Sequence, residues 1–371
     1  MNDRRICYNC FQSYSFDQLA GICQSCPMER DTKLEAAYSH TLAVPRRFEL
    51  AAAEAEETDG NEVKCPEGHL TSERACPHCH AQVHTSWSDP GRILAMVGPT
   101  MSGKSTYIGA LLEQLARYPE QCFHSYGMSM DAVSEATFER VRNQMYGEGI
   151  FPEATQVGHD ILPTPIVSQL ILPARMGLFR LPALIRSRFR SDVMVPLVFY
   201  DHPGEGFTSH GTPYMRYCAM AEGLILAVDA TVLPHTVLRG DVTKPNQHEI
   251  ETLRLDPGSL VRTLTDAIRS RVDVGAAKGV QIDKPVAVLL LKADEVPELQ
   301  PMLQEMVEAR RAQGDRRQYP TRQIDKNHRQ CVEHLKSWGA SGLTDVLTRN
   351  FTTFKVFPVV AAWRDAPDPR K

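Results

Sequence analysis

The chain has 371 residues, 42% of them apolar, with a formal net charge of −4 and a pI near 6.4. That length suits one large α/β domain plus a small appendage, and the apolar fraction suffices for a sizeable core. The slightly acidic balance argues against a dedicated nucleic-acid binder, whose footprint would be basic.

The N-terminus, MNDRRICYNC, has no apolar leader. The longest apolar runs, GLILAVDA and PVAVLLL, are far too short to span a bilayer. The expectation is a soluble, cytoplasmic protein. Seven of the ten cysteines lie in the first 80 residues, six of them in three CxxC pairs. In a long chain of intracellular type that pattern favours metal over disulfides.

Cys7-x2-Cys10-x12-Cys23-x2-Cys26 has the four-thiolate spacing of a zinc ribbon. Residues 31–64, including ELAAAEAEETDGNE, carry no sustained apolar stripe and read as a linker, partly helical. A second cluster follows: Cys65-x3-His69-x6-Cys76-x2-Cys79. His78, His80 and His84 compete with His69 for its fourth position; CPEGH followed by CPHCH resembles a short treble-clef or ribbon knuckle and favours His69. Two closed four-ligand Zn²⁺ sites are therefore expected, both structural, since neither keeps an open position for water. No thioredoxin-like βαβ pattern surrounds the CxxC pairs, which argues against redox catalysis. Cys122, Cys218 and Cys331 are isolated, and buried apolar roles suit them.

From Arg92 the pattern changes. RILAMVG, PIVSQLIL, VMVPLVFYD, GLILAVDAT, PVAVLLLKAD and TTFKVFPVVA read as buried strands. Helix-like stretches separate most of them: KSTYIGALLEQLARY, PYMRYCAMA, SLVRTLTDAIRSRV, PELQPMLQEMVEARRAQ, QIDKNHRQCVEHLKSW and SGLTDVLTRNF. Alternating strands and helices predict a mostly parallel α/β sheet with helices on both faces. Two connections, 119–165 and 233–258, are long. The expected division is a zinc ribbon at 1–30, a linker at 31–64, a second zinc-binding knuckle at 65–88, a nucleotide domain at 91–365 and a tail at 366–371.

Gly98-Pro99-Thr100-Met101-Ser102-Gly103-Lys104-Ser105, followed by Thr106, satisfies GxxxxGK plus Ser or Thr, between a strand and a helix. Glycines let successive N–H groups turn towards phosphate oxygens, and the helix N-terminus adds positive potential. Lys104 would reach the β/γ-phosphates and Ser105 would place its hydroxyl on Mg²⁺. This is the P-loop of a nucleotide-binding domain. Asp201-His202-Pro203-Gly204-Glu205 then follows a strand. Asp201 would act on Mg²⁺ through water, and the Gly204 N–H would face the γ-phosphate. DxxG is more typical of GTPases than of ATPases.

Leu291-Lys292-Ala293-Asp294 closes the strand PVAVLLL. Here the chain resembles the TRAFAC class of P-loop GTPases, with a Ras-like fold, whose base-reading motif is Asn/Thr-Lys-x-Asp. The resemblance covers about residues 92–362. It implies that Asp294 accepts from guanine and that the Lys292 stem lies over the base, while Leu291 departs from the usual Asn or Thr. It also implies a late turn whose backbone contacts the base; Val359-Val360-Ala361-Ala362 occupies that place, with Ala361 as the contact and Val360 in place of Ser. The class carries a switch threonine before the second strand, for which Thr155 (PEATQVG) and Thr164 (LPTPI) both qualify, Thr155 preferred. Glu205 stands where a water-orienting Gln sits in Ras-like members, though a carboxylate near a γ-phosphate is electrostatically costly. Arg175–Arg190 holds five arginines, an arginine finger by one reading and a solvated basic face by the favoured one. Within the class, GPTMSGKSTYIGALL with YDHPGEGF behind zinc-ribbon-like sequence resembles the bacterial DO-GTPases (double-GTPases) of prokaryotic conflict and defence loci. That implies GTP/GDP and Mg²⁺ as ligands, and a partner protein, a second GTPase or an effector encoded nearby. Two other readings stay open: a P-loop ATPase, favoured by Leu291 and Val360, and a zinc-ribbon nucleic-acid binder that uses nucleotide as a structural ligand.

Overall fold

A computed structural model describes residues 5–38, 43–50, 62–83, 92–99, 102–118, 127–130, 132–150, 166–172, 193–199, 213–240, 257–271, 280–313 and 321–360. Its main body is a seven-stranded sheet. The strands are β1 (Arg92–Val97), β2 (Gly127–Met130), β3 (Ile166–Leu172), β4 (Val193–Phe199), β5 (Gly223–Asp229), β6 (Val286–Leu291) and β7 (Phe354–Pro358). They lie in the order β2-β3-β4-β1-β5-β6-β7. β4, β1, β5, β6 and β7 run parallel; β3 is antiparallel to both of its neighbours, β2 and β4.

The helices are α1 (Lys104–Arg117), α2 (Ala132–Arg142), α3 (Pro213–Met220), α4 (Pro257–Arg271), α5 (Gln300–Gln313), α6 (Thr321–Ser337) and α7 (Ser341–Asn350). Because side chains alternate across a strand, each central strand feeds two cores. Ala95, Val97, Leu226, Val228, Val288 and Leu290 pack with residues of α3, α4, α6 and α7. Met96, Ala227, Leu289 and Leu291 pack with Ile108, Leu112 and Leu115 of α1 and Phe138 of α2. The six strands and six helices expected from Arg92 onward are all present. The connection 119–165, however, also carries β2, α2 and a π-helical turn over Asn143–Glu148. Ser134 of α2 accepts from the Val167 amide of β3 at 2.9 Å, which ties this insertion to the sheet.

The expected separation of a ribbon, a linker and a second knuckle does not describe the N-terminal part. Strand Ala20–Cys23 pairs antiparallel with Arg46–Glu49 on one side and with Arg74–Ala75 on the other, and Arg74–Ala75 pairs in turn with Gln82–Val83. The segment read as a linker thus supplies a sheet strand and a short helix, Thr32–Tyr38. Backbone pairing draws the two cysteine-bearing stretches together, which no ribbon folded on its own would require.

This region also packs on the sheet. Phe11 joins the core of α3 and α4 and is buried, with Ile6 and Tyr8 half-buried beside it. The Phe11 and Tyr217 rings lie 6.3 Å apart. Tyr217 in turn donates its hydroxyl to the Met96 carbonyl of β1 at 2.9 Å. Among the described residues no helix is long and apolar enough to cross a membrane.

Candidate functional site

β1 ends in the glycine-rich loop, and the loop ends in α1. Gly98 is obligatory there. A Cβ on it would lie 2.6 Å from the Ala227 carbonyl oxygen of β5, a backbone atom that cannot yield. Gly103 caps α1 in the left-handed region, φ 91°. Ser102 donates its amide to the Pro99 carbonyl at 3.3 Å. The Ser102 hydroxyl is buried and has no hydrogen-bond partner among the described residues. Lys104 is buried, and its ammonium donates to the carbonyls of Gly98 at 3.0 Å and Pro99 at 2.6 Å. Ser105 and Thr106 follow in the first turn of α1, both half-buried. An inward-facing cation, an orphaned hydroxyl and a helix N-terminus on one loop suit a polyphosphate. Thr100 and Met101 of the same motif lie outside the described residues.

The other side of the site stands on the next strands. Leu291 ends β6, is buried, and directs its Cδ1 at Gly103: a Cβ there would lie 3.5 Å away. Leu291 is therefore a core side chain packed beneath the start of α1, near the glycine-rich loop. Lys292 follows in the left-handed conformation, φ 57° and ψ 35°, ahead of a 3₁₀ turn, Ala293–Glu295, that contains Asp294. The Lys292 ammonium meets the Asp229 carboxylate, at the end of β5, at 2.6 Å. The Asp294 carbonyl accepts from the Gln300 side-chain amide at 2.6 Å. After β7, the Val359 amide donates to Leu290 at 2.9 Å and its carbonyl accepts from Ala293 at 3.2 Å. These bonds place Val359, with half-buried Val360 after it, beside the Lys292 loop. The glycine-rich loop, the Lys292 loop and the Val359–Val360 segment all leave the same C-terminal edge of parallel strands, where open α/β sheets bind ligands. Thr155, Thr164, Asp201, Gly204, Glu205, Ala361, His84 and the arginines of 175–190 lie outside the described residues.

The eight predicted metal ligands come together in two groups, but not in the groups their spacing suggests. One is Cys7, Cys10, Cys76 and Cys79; the other is Cys23, Cys26, Cys65 and His69. Each group takes a pair from either side of the supposed linker. The sequential ribbon Cys7-Cys10-Cys23-Cys26 is therefore corrected to an interleaved pairing, with the same eight residues. Sulfur–sulfur distances are 3.6 Å for Cys7–Cys79, 3.8 Å for Cys10–Cys76 and 3.7 Å for Cys26–Cys65. His69 Nδ1 lies 3.5 Å from the sulfurs of Cys26 and Cys65 and 3.7 Å from that of Cys23. A tetrahedron with Zn–S near 2.3 Å has S–S edges of about 3.8 Å and S–N edges of about 3.6 Å. The donor sets fit zinc in both kind and spacing.

Two of the CxxC pairs form the same knuckle. Phe11 donates its amide to the Cys7 carbonyl and His80 to that of Cys76; both residues are left-handed, each with φ 57°. Amides of Asn9 and His78 point at the Cys7 and Cys76 sulfurs, each at 3.4 Å. His80 is not a ligand. Its Nδ1 meets the Asp31 carboxylate at 2.7 Å, and Asp31 also accepts from the Leu34 amide. Crowding polarises the thiols. Hydrogen bonds from Cys10, then Cys7 and Cys79, hold Cys76 far below the ordinary thiol range. Cys65 is held at about 6: burial opposes its thiolate, but the amides of His69 and Glu67 and the thiols of Cys23 and Cys26 outweigh burial.

Sequence reasoning passed over Asp229, Phe11 and the ligand pairing. Asp229-x-Thr231 was the available signal for the first, a carboxylate able to cap its own following turn. Cys218 and Cys331 are fully buried, as expected of isolated cysteines.

No family model and no curated protein matches the chain. Among solved structures it is similar to the signal recognition particle receptor SRβ–GTP/SRX complex from Chaetomium thermophilum. The identity is 12% and the TM-score 0.28, over 75% of this chain and 94% of that one. It is also similar to the GTP-bound GTPase-like domain of S. cerevisiae Ski7, at 15% identity, TM-score 0.25, and 73% and 43% coverage. The third is bacterial selenocysteine-specific elongation factor EF-Sec, at 13%, 0.25, 73% and 26%. The chain thus spans less than half the length of the last two.

Proposed function

We propose that this chain is a Mg²⁺-dependent GTP-binding and GTP-hydrolysing switch with two structural zinc sites. The observation that carries the reading is the alignment of the Lys104 loop, the Lys292–Asp294 loop and the Val359–Val360 segment along one edge of the sheet, in the order β1-β5-β6-β7. In this reading Gly98–Thr106 hold the phosphates, with Lys104 on the β/γ oxygens. Ser105 and Asp201 hold Mg²⁺, which neutralises charge on the transferred phosphoryl group. Gly204 and Thr155 sense the γ-phosphate, Glu205 orients water, and Asp294, Lys292 and Ala361 read guanine. GTP orders the switch segments and hydrolysis releases them. The zinc-bearing region docks a protein partner, in keeping with the resemblance to GTPases of conflict and defence loci.

The test is binding and turnover of GTP and ATP by wild type and Lys104→Ala. The variant should lose measurable nucleotide affinity, and its turnover should fall about a hundredfold or more. GTP hydrolysis at the wild-type rate in the variant refutes the site. Leu291 is the observation that favours an ATPase instead: ATP displacing labelled GTP at similar concentration would establish that reading.

A further inference from the structure

Asp229 belongs to none of the motifs above, yet it is the residue that reaches Lys292. It ends β5 in register with Leu291 of β6 and is buried. One carboxylate oxygen is fully engaged: it accepts from the Thr231 amide at 2.9 Å and from the Thr231 hydroxyl at 2.6 Å. That grip leaves the second oxygen aimed at the Lys292 ammonium, 2.6 Å away. A buried carboxylate needs a cationic or hydrogen-bonding partner, and a charge-assisted bond of this length is among the strong ones.

Lys292 is under an unusual constraint at its other end. It is one of three non-glycine residues with positive φ among the described residues, a conformation that crowds the Cβ of an L-residue against its own backbone. Such strain persists where the surroundings over-determine it. Here they do: Leu291 is buried in the core, Ala293 donates to Val359, and Glu295 donates to the Lys292 carbonyl at 3.0 Å. With the backbone turned by these contacts and the ammonium tied to Asp229, the flexible methylene stem between them is held at both ends.

We infer that Asp229 is a positioning residue for base recognition: it holds the Lys292 stem as a fixed apolar rail for the face of a purine. The inference rests on the guanine-nucleotide reading above.

The experiment titrates the full, zinc-loaded chain with GDP, ADP and inorganic tripolyphosphate, which has no base. Wild type, Asp229→Asn, Lys292→Ala and the double variant are compared. Asp229→Asn keeps the shape and the Thr231 contacts but sets an amide against the ammonium. It should weaken GDP about tenfold, within the range for coupled neighbours, and leave tripolyphosphate unchanged. In the Lys292→Ala background it should cause no further loss. Parallel loss of GDP and tripolyphosphate would mean that Asp229 merely supports the fold, and overturns the inference. So does an equal GDP loss with and without Lys292, or no loss at all. A wild type that binds ADP as well as GDP sinks the guanine reading and the inference with it, a failure visible before any variant is made.

Discussion

The cysteine-rich region and the sheet differ in what fills their interiors. Within the sheet, Leu, Val and Ile from adjacent strands meet helices on both faces, and the core would exist in any solvent that excludes them. In the cysteine-rich region half of the residues in the two ligand-bearing clusters are the ligands themselves, with Tyr14, Leu19, Leu34, Phe48, Val63 and Ala81 between them. With so little apolar area, a region of that size would draw its stability from metal at the two proposed zinc sites, where metal binding would be its folding energy.

The largest effect should follow from removing that metal. Structural zinc contributes about 10–16 kcal/mol of apparent free energy in small zinc-folded units. A strong chelator should therefore abolish the folded signal of residues 5–83 while the sheet keeps its own cooperative transition. The pairing gives a sharper form of the same test. Cys7→Ser with Cys79→Ser removes ligands from one site if the sites interleave, and from both if they are sequential ribbons. One zinc per chain by elemental analysis is the expected result; none would restore the ribbons.

That pairing explains why the sequence was readable in one region and only half readable in the other. Strand and helix periodicities are local, so β1, β3–β7 and their helices could be taken from runs such as GLILAVD and VAVLLL. Ligand identity is equally local, since CxxC makes a knuckle wherever it occurs. Which two knuckles share a metal is decided by long-range strand pairing, Ala20–Cys23 between Arg46–Glu49 and Arg74–Ala75, and no spacing encodes it. β2 was missed because GMSM has little β-branched content and its partner lies some forty residues on. Leu291 reads only as a departure from Asn or Thr because a motif records residue types, whereas its burial in the core is a matter of shape.

The next effect in size concerns the place where the two regions touch. Phe11 sits on a metal knuckle yet fills the core beside Tyr217, and it does so with φ 57°. Phe11→Ala should destabilise the sheet by about 3 kcal/mol through the cavity it leaves. Phe11→Gly loses the same ring but relieves the left-handed strain, so it should be the milder change by about 1 kcal/mol. Urea midpoints of the sheet transition measure both. A sheet indifferent to Phe11 would mean that the two regions fold as strangers and merely lie in contact.

Protons should separate the regions most finely, and the smallest expected effect lies in the sheet. His328 of α6 accepts the Val356 amide of β7 on Nδ1 at 3.2 Å, so the folded state needs that nitrogen unprotonated. Burial, reinforced by Lys355 and Arg329 against the opposing pull of Asp325, holds His328 below the usual imidazole range. A depressed folded value means that its contribution is complete above the unfolded pKa of about 6.5 and drains away as pH falls through the folded one. His328→Asn offers a non-titrating oxygen near the same position. Wild type should therefore lose sheet stability faster than the variant from about pH 6.5 downward, with the two curves parallel above it. Equal slopes would detach His328 from the acid response. In the cysteine-rich region acid competes for all eight ligand atoms at once, because thiolate and neutral imidazole are the metal-binding forms. Acidification in a zinc-limited buffer should thus unfold that region before the loss of a single imidazole acceptor is felt in the sheet.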